Sequence, residues 1–440
     1  MSERATNPAT NPGTPPGAKP GTWSNPIGLF GAYGVEMEYM IVDADTLDVR
    51  PVADDLFRAV AQNDQDDPAT AGEVEPDGPD GQVSWSNELV LHVLELKTQR
   101  PARTLDGLAA HFQRHVKIAN DALATMNCRL LPTGAHPWMD PLRETRLWPH
   151  ECTEVYKAYD AIFNCQGHGW SNLQSTHLNL PFASDEEFGR LHAALRLVLP
   201  LVPAIAASSP IIEGRWSPIA DQRLEFYRNN SKPVPLMAAK IIPEAVFTRA
   251  GYETDILGAL YQQLAPLDSG AVLRREFANA RGAIARFDRG AIELRLLDIQ
   301  ECPAADIAVV RLVSELVRAH VQERWISYEQ QQAIAVDPLH EVLLECIRWA
   351  EHTRLRDRAL LGAYGIGGGI LTAGDLWERL AEQVMPEGHE DTATMQRLLK
   401  AGSLSSRISN SIKRHPTREQ LVEVYRELAD CLANGTLFRA

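Results

Sequence analysis

The chain has 440 residues, of which 45% are hydrophobic and 23% are charged, values typical of a globular protein with a large core. Its formal net charge of −15 argues against a nucleic-acid surface, which needs a concentrated basic face. An anionic substrate stays allowed, because metal ions can reverse the local potential. The six cysteines form no C-x-x-C pair, which predicts free thiols in a reducing cytosol.

The N-terminal segment and the most apolar stretch do not resemble targeting or membrane segments. Residues 1–24 are rich in Pro, Thr, Gly, Asn and Ala, so a disordered tail is predicted there. They lack the apolar core of a signal peptide. The run 197–212 contains three prolines and is shorter than the roughly 20 residues that cross a bilayer. We therefore expect a cytoplasmic protein that binds neither membranes nor nucleic acid.

Hydrophobic periodicity predicts strands mixed with helices up to residue 300 and helices after it. The first elements are a strand over Gly34–Asp43, a helix over 54–62, an acidic Gly/Pro-rich loop over 63–82 and a segment 83–98 that ends as a strand. The next are a helix over 104–126, strands over 129–134 and Ser175–Pro181, a helix over 185–206 and a strand region over 282–300. The last are helices over 306–326, 338–356, 376–384 and 418–432. This order predicts an α+β fold, an antiparallel sheet with helices packed on one side.

Glu36 and Glu38 stand two residues apart on the first predicted strand, so their side chains point to the same face. Two adjacent carboxylates near a core repel each other and are costly to desolvate, and a divalent cation removes both problems. Mg²⁺ takes oxygen ligands at about 2.0–2.1 Å and commonly bridges carboxylates to phosphates. A solvated strand face with two surface glutamates would give the same pattern, so this pair alone does not distinguish a metal site from an ordinary surface.

Glu293 and Arg295 repeat this spacing on a later strand. The carboxylate could bind a metal and the guanidinium could neutralise a transferring phosphoryl group, while a structural ion pair is the simpler alternative. His177 and Asn179 form a third same-face pair. A lone histidine is usually an ordinary polar residue, but strand carboxylates nearby make His177 a candidate metal or phosphate ligand.

Glu88 and Glu95 are seven residues apart and would face opposite ways on one straight strand. They converge only through a β-bulge, or if the segment is helical. The sequence by itself leaves both routes open.

Basic side chains cluster in two segments of this acidic chain. Arg223 and Arg228 lie in DQRLEFYRNNSK, and Arg281, Arg286 and Arg289 lie in RGAIARFDRG. Surface solvation explains such clusters, and anion binding is the alternative, because arginine makes bidentate contacts with carboxylates and phosphates.

Six motifs follow one another over residues 34–303. They are GVEMEYMIVD, VLELKTQRP, LLPTGAHPWM, STHLNLPF, AASSPIIEGRWSPIADQRLEFY and AIELRLLDIQECP. Together they resemble the glutamate–cysteine ligase family, in particular its bacterial carboxylate–amine ligase branch. Each motif is weak alone, and six in the right order form a specific signal.

The resemblance implies a glutamine-synthetase-like fold, in which a curved antiparallel sheet forms an active-site funnel with helices on its outer face. It implies ATP and Mg²⁺ or Mn²⁺. It also implies that ATP phosphorylates the γ-carboxylate of glutamate and that an amine such as cysteine attacks the acyl phosphate. The catalytic domain is expected over 25–334, with a C-terminal helical region, 335–440, packed on it. The oligomeric state stays open, a homo-oligomer included.

Residue roles are carried over from the family motif by motif. The metal-ligand candidates are Glu36, Glu38, Glu88, Glu95, His177 and Glu293. The catalytic candidates are Arg295, Glu293 and Glu38. The candidates for substrate or nucleotide binding are Arg223, Arg228, Asn179 and Arg289. The resemblance implies that Arg295 stabilises the transferred phosphoryl group and that Arg223 and Arg228 contact nucleotide phosphates or the amino-acid carboxylate.

One departure from the family pattern concerns the acceptor. Family members often have His-x-His where this chain has His177-Leu178-Asn179, and asparagine cannot become cationic. Cysteine as the acceptor is therefore open, and a ligase of the same fold with an unusual amine is the first rival. A kinase and a non-catalytic metal- or ligand-binding relative are the others. Retention of both Glu-x-Glu and Glu-x-Arg argues against the non-catalytic relative.

Overall fold

An antiparallel sheet of eight strands organises the molecule, for which a computed structural model describes residues 26–61, 72–74, 81–150, 152–274 and 278–439. The strands of this sheet and of two separate two-stranded sheets (β7–β8 and β11–β12) are, in chain order, β1 (Gly34–Asp43), β2 (Glu73–Val74), β3 (Val83–Asn87), β4 (Val93–Thr98), β5 (Cys128–Leu131), β6 (Ser175–Pro181), β7 (Ile211–Ile212), β8 (Arg215–Trp216), β9 (Ala283–Arg286), β10 (Ala291–Asp298), β11 (Arg354–Leu355) and β12 (Leu371–Thr372). The sheet order is β2-β3-β4-β1-β6-β10-β9, with β5 also paired to β1. The predicted tail 1–24 and most of the predicted loop 63–82 lie outside the described residues.

Helices connect the strands and make up most of the chain after residue 300. Their bounds are Ala53–Val60, Leu108–Ala124, Pro141–Glu144, Thr153–Phe163, His168–Ser171, Asp185–Val198, Pro203–Ala206, Gln222–Tyr227, Arg249–Gly251, Ala259–Leu264, Pro303–Val321, Tyr328–Ala333, Val336–Trp349, Arg358–Ala363, Ala373–Val384, Glu390–Ala401, Leu404–Ser411 and Arg418–Asn434. A π-helical segment, Tyr252–Gly258, joins two of them. In the part of the chain that the structure describes, no helix combines the length and apolarity needed to cross a bilayer.

One face of the sheet forms the main core. Val35, Met37, Tyr39 and Ile41 alternate along β1, are fully buried and join one hydrophobic cluster. The long helices Leu108–Ala124, Asp185–Val198 and Pro303–Val321 contribute their apolar sides to the same cluster. The predicted α+β class with an antiparallel sheet is therefore confirmed, whereas the expectation that helices pack on one side only is wrong, because helices also cover part of the opposite face.

The opposite face of β1 changes character along the strand. Glu36 and Glu38 occupy its first half, whereas Met40 and Val42 on the same face are fully buried in a second hydrophobic cluster. The helices Leu404–Ser411 and Arg418–Asn434 supply half of the other buried residues of that cluster. The C-terminal helices thus cover one half of this face and leave the carboxylate half to the candidate site.

The predicted helix 185–206 is interrupted. It begins after Ser184, whose Oγ accepts a hydrogen bond from the Glu187 amide at 3.2 Å, and it ends at Val198. A 3₁₀ turn and the short helix Pro203–Ala206 follow. The break has a physical reason, since Pro200 has no amide hydrogen to donate and its ring crowds the preceding turn.

Candidate active site

Strand register brings the polar side chains of four central strands to one face of the sheet. Glu38 pairs with Glu95 between β1 and β4, and Glu36 pairs with His177 between β1 and β6. Directly paired residues of antiparallel strands project to the same side. On the other side of β6, Asn179 pairs with Glu293 of β10. The expected same-face geometry of these side chains is therefore present.

His177 lies at the centre of this face, between the two glutamates of β1. Its Nδ1 is 3.0 Å from Glu36 Oε2, and its Nε2 is 3.8 Å from Glu38 Oε1 and 2.9 Å from Ser175 Oγ. Glu38 Oε2 accepts hydrogen bonds from the Ser175 amide at 2.8 Å and from Ser175 Oγ at 2.9 Å. The Asn179 amide donates to Glu36 Oε1 at 3.1 Å. These contacts fix both carboxylates of β1.

Glu88 and Glu95 converge by a route that the sequence interpretation did not include. The expectation of a bulged strand or a helix was wrong, because the chain reverses between the two residues and β3 pairs with β4. Ser86 is the partner of Glu95 in that pairing, and its hydroxyl donates to Glu95 Oε1. Glu88 comes two residues after Ser86, and its carboxylate reaches the ligand atoms of Glu95 and Glu38.

Two groups of ligand atoms in this cluster are close enough to hold a divalent cation. One consists of Glu36, Glu95 and His177, the other of Glu38, Glu88 and Glu95, and the ligand atoms within each group lie within 4.8 Å of one another. Ligands on opposite sides of one Mg²⁺ ion are about 4.2 Å apart, since each bond is about 2.1 Å long. Small side-chain shifts would therefore bring the ligand atoms of either group to bonding distance of one cation. The mostly carboxylate donor set fits an oxygen-preferring cation.

Negative charge accumulates in the group that contains Glu88. Burial, with the charges of Glu95 and Glu38, raises the pKa of Glu88 well above its usual range. Burial and the charge of Glu36 raise the pKa of Glu95 to about 7, even though Lys97 lowers it. These two carboxyl groups resist ionisation because the protein supplies too little positive charge around them, and a bound cation would supply it.

The pairing of His177 with Glu36 favours the charged forms of both groups, in contrast to the surroundings of Glu88 and Glu95. Burial would raise the pKa of Glu36, but its hydrogen bond with His177 and the positive charges of His177 and Arg289 lower that pKa below its ordinary value. Burial would lower the pKa of His177, and the contacts with Glu36 and Glu38 raise it instead. This half of the cluster already contains part of its own counter-charge.

The β10 end of the face is basic. Arg286 Nε lies 2.9 Å from Glu293 Oε2, and Arg295 Nε lies 2.8 Å from Glu293 Oε1. Burial opposes ionisation of Glu293, but the two guanidinium groups hold its pKa well below the usual range. Glu293 is thus ionised and already balanced, unlike Glu88 and Glu95. Arginines in this position can neutralise charge on an anionic ligand.

A register shift in β10 brings Asp298 to the same face. Leu294 pairs with Leu178, but Leu297 rather than Leu296 pairs with Thr176, so one extra residue is accommodated at Arg295-Leu296. Asp298 consequently pairs with Ser175. It accepts hydrogen bonds from the Ser208 amide at 2.9 Å and from Ser209 Oγ at 3.0 Å.

Arg223 is held in this network rather than directed at an open cleft. Its side chain is 2% exposed, its Nη1 lies 3.2 Å from Asp298 Oδ1, and its Nη2 donates to the Arg295 carbonyl oxygen at 2.9 Å. The expectation was a contact with nucleotide phosphates or with the amino-acid carboxylate. The structure instead gives Arg223 the geometry of a residue that supports the backbone at Arg295, because both terminal nitrogens bind protein atoms.

The other two predicted arginines have different surroundings. Arg228 forms a two-pronged ion pair with Glu225 at 2.8 and 3.0 Å, so its guanidinium has an intrahelical partner. Arg289 lies in the turn between β9 and β10, and its charge acts on Glu36. Of the two, the structure places only Arg289 in electrostatic range of the carboxylate cluster.

Several residues that contact the predicted carboxylates had been given no role from the sequence, although Arg286 had been noted in a basic cluster. Lys97 Nζ lies 3.1 Å from Glu73 Oε1 and 4.0 Å from Glu95 Oε1, Ser175 binds Glu38, and Arg286 binds Glu293. Strand alternation contained the signal for two of them, because Lys97 stands two residues after Glu95 and Ser175 two before His177. Arg286 depends on the pairing of β9 with β10, which alternation does not reveal.

Comparison with known proteins identifies a family, a relative of similar length and solved structures of similar fold. A family model described as glutamate-cysteine ligase family 2 (GCS2) matches residues 32–427. An uncharacterized protein of Archaeoglobus fulgidus is 31% identical over 407 residues, which cover 92% of this chain and 99% of that protein.

Two of the similar structures come from Francisella tularensis and Pasteurella multocida. A glutamate–cysteine ligase of Francisella tularensis, solved in complex with AMP, has a TM-score of 0.59 at 11% identity, covering 93% of this chain and 90% of that one. A bifunctional glutathione synthetase of Pasteurella multocida has a TM-score of 0.59 at 14% identity and 92% coverage of this chain. The present chain spans 52% of the length of that synthetase. At these identities the likeness shows the fold.

Proposed function

The chain belongs to glutamate–cysteine ligase family 2, and from that premise we propose the reaction of this carboxylate–amine ligase. The family resemblance predicted from the six motifs is thereby confirmed. The proposed reaction joins the γ-carboxylate of glutamate, or of a similar amino acid, to an amine such as cysteine, with ATP converted to ADP and phosphate. One observation carries the proposal. Two groups of possible metal ligands, which have Glu95 in common, lie on the same sheet face as the Glu293–Arg295 pair.

The acidic end of the face would hold the metal ion. The proposed ligands are Glu36, Glu38, Glu88, Glu95, His177 and Glu293. Glu293 stands apart from the other five, because two arginines already balance its charge. When bound, Mg²⁺ or Mn²⁺ would neutralise phosphate oxygens of ATP. The complex of the F. tularensis ligase with AMP supports a nucleotide site in this fold.

The first proposed step forms the acyl phosphate. A γ-carboxylate oxygen attacks the γ-phosphorus of ATP, an oxygen–phosphorus bond forms, and the bond to the β-phosphate oxygen breaks so that ADP leaves. Phosphoryl transfer depends on positioning and charge neutralisation rather than on a protein nucleophile. Arg295 would neutralise the transferring group, and Ser175 would keep Glu38 in place through its two hydrogen bonds.

The second proposed step forms the amide. The amine nitrogen attacks the acyl carbon, a carbon–nitrogen bond forms, phosphate leaves, and the nitrogen gives up a proton to solvent. Asn179 favours a second candidate, a ligase whose acceptor is an unusual amine of a specialised biosynthetic pathway. The Asn179 amide donates to Glu36, so this position presents a neutral donor where relatives often carry a second imidazole.

The test is ADP release by the full chain with ATP, Mg²⁺ and glutamate, scanned over a panel of amines with mass spectrometry of the products. We expect ADP, phosphate and a new amide in equal amounts with at least one amine. ADP without an amide would identify a kinase. Absence of ADP with every amino acid and with both Mg²⁺ and Mn²⁺ would refute the enzymatic proposal and leave a binding role.

A further inference from the structure

Tyr227 buries a hydroxyl group that has no hydrogen-bond partner in the part of the chain that the structure describes. The side chain is 8% exposed, and its ring belongs to the main hydrophobic cluster. A buried hydroxyl without a partner costs about 1–3 kcal/mol. Phenylalanine would provide the same ring packing without that cost, so packing alone does not explain a tyrosine here.

Tyr227 is linked to the arginine end of the site through Arg223. Tyr227 ends the helix Gln222–Tyr227 and lies one turn after Arg223, so the two side chains share a helix face. Arg223 Nη2 binds the Arg295 carbonyl oxygen at 2.9 Å. This hydrogen bond holds the helix face that carries Arg223 and Tyr227 against the backbone at Arg295.

Arg295 itself has an unsatisfied donor. Its Nε is buried and lies 2.8 Å from Glu293 Oε1, but this contact lacks the geometry of a hydrogen bond. A cationic N–H donor on Arg295 and a neutral O–H donor on Tyr227 thus lack full partners among the described residues, at the end of the site where Arg223 joins their two segments. One anionic oxygen can accept hydrogen bonds from both, and charge-assisted bonds of this kind are the strong ones.

We infer that the Tyr227 hydroxyl donates a hydrogen bond to an anionic substrate oxygen that Arg295 also binds. The oxygen belongs either to the carboxylate of the amino acid or to the phosphoryl group transferred to it. This inference rests on the proposed function and adds a substrate-contacting residue to it. Neither the two acidic motifs nor the predicted arginines pointed to Tyr227.

Tyr227→Phe tests the inference in the full-length protein. We expect kcat/KM to fall by about 10- to 100-fold, as for loss of one positioned hydrogen bond, while stability stays equal or rises because the unpaired hydroxyl is gone. A rise in KM for glutamate with little change in kcat identifies the carboxylate as the ligand. A fall in kcat at unchanged KM for glutamate identifies the phosphoryl oxygen.

Tyr364→Phe is the matched control, because it removes a buried hydroxyl that is satisfied. Tyr364 is 2% exposed, and its hydroxyl donates to the Leu197 carbonyl oxygen at 2.9 Å. This variant should lose stability and keep kcat and KM, the reverse of the result expected for Tyr227→Phe. Unchanged kcat and KM in Tyr227→Phe would overturn the inference while wild-type activity stands. Absence of ADP release by the wild type would instead remove the proposed function.

Discussion

The carboxylate cluster on the sheet and the core around Arg407 both bury charged side chains, but they balance charge in opposite ways. Arg407 forms a two-pronged ion pair with Glu301, with Nη2 3.1 Å from Oε2, and it also donates to the carbonyl oxygens of Gly402 at 3.1 Å and Phe438 at 3.0 Å. In the carboxylate cluster, Glu88 and Glu95 face each other and Glu38 with little positive charge between them.

This difference separates a structural network from a functional one. A fully paired buried ion pair holds chain segments together, in this case the C-terminal segment at Phe438 and Glu301, which lies three residues after β10. An unbalanced cluster costs folding free energy, and such a cost is typical of sites where a ligand supplies the missing charge.

Breaking the paired network should have the largest effect on stability. Arg407→Met is expected to lower the free energy of unfolding by about 3–5 kcal/mol, because it leaves the fully buried Glu301 charge without a partner. Urea denaturation at pH 7 measures this. The double variant Arg407→Met/Glu301→Gln should recover part of the loss, and turnover per folded molecule should stay near wild type. A cost below about 1 kcal/mol would show that the network is not structural.

Removing one charge from the unbalanced cluster should affect turnover instead. Glu38→Gln is expected to lower kcat by about 10²–10³-fold, or about 3–4 kcal/mol, a magnitude typical of one lost electrostatic group. Glutamine keeps an oxygen that can accept from the Ser175 amide and hydroxyl, so stability should change little. Glu293→Gln should show a comparable loss of turnover. ADP release at saturating substrate measures both variants.

The matched control for this prediction is Glu225→Gln. Glu225 is a half-buried glutamate whose partner is Arg228, outside the carboxylate cluster. It should keep near-normal turnover if Arg228 has the intrahelical role that the structure gives it. Near-normal activity in both Glu38→Gln and Glu293→Gln would show that the metal-site proposal is wrong.

A smaller effect is expected at Glu88, whose carboxyl group resists ionisation. Glu88→Gln should raise the free energy of unfolding by about 1 kcal/mol in EDTA, because it removes a half-buried carboxyl group that the charges of Glu95 and Glu38 keep from ionising in the folded state. It should also reduce the rise in melting temperature produced by Mg²⁺. Glu73→Gln provides the contrast, since it deprives Lys97 of a partner and should lower stability. Equal changes in stability and in the Mg²⁺ response for Glu88→Gln and Glu73→Gln would contradict the idea that Glu88 lacks a counter-charge.

The predictable part of the site is the part that strand alternation determines. Spacings of two residues placed Glu36 with Glu38 and Glu293 with Arg295. The strand register agrees with the first pair, and the 2.8 Å contact between Arg295 Nε and Glu293 Oε1 agrees with the second. The α+β class was predicted correctly for the same reason, because periods of two and of 3.6 are local properties of the chain. The assigned roles of these residues stay predictions, as does the division into domains.

Contacts between distant segments could not be predicted in this way. The approach of Glu88 to Glu95 depends on a chain reversal, and the pairing of Arg223 with Asp298 depends on a bulge in β10. A period-two pattern contains no information on either. Arg223 consequently looked like an anion-binding residue in the sequence, although its guanidinium is buried against protein atoms.

The smallest effect on stability is expected at His320, a buried polar side chain that carries no charge in the folded protein. Its ring packs against Trp325 at 5.0 Å and Tyr364 at 4.9 Å, and burial lowers its pKa to about 3. Unfolded chains bind this proton below pH about 6.5, so between these values the unfolded state binds more protons and stability falls as the pH decreases.

One such group contributes at most about 1.4 kcal/mol per pH unit over that range. His320→Phe should therefore make the loss of stability between pH 6 and 4 less steep, with little change in the slope above pH 7, as measured by urea unfolding at each pH. Glu88→Gln does not remove this histidine, so its slope between pH 6 and 4 should keep the His320 contribution. An unchanged slope in His320→Phe would mean that the native imidazole already binds its proton, and that the rings around it do not exclude charge.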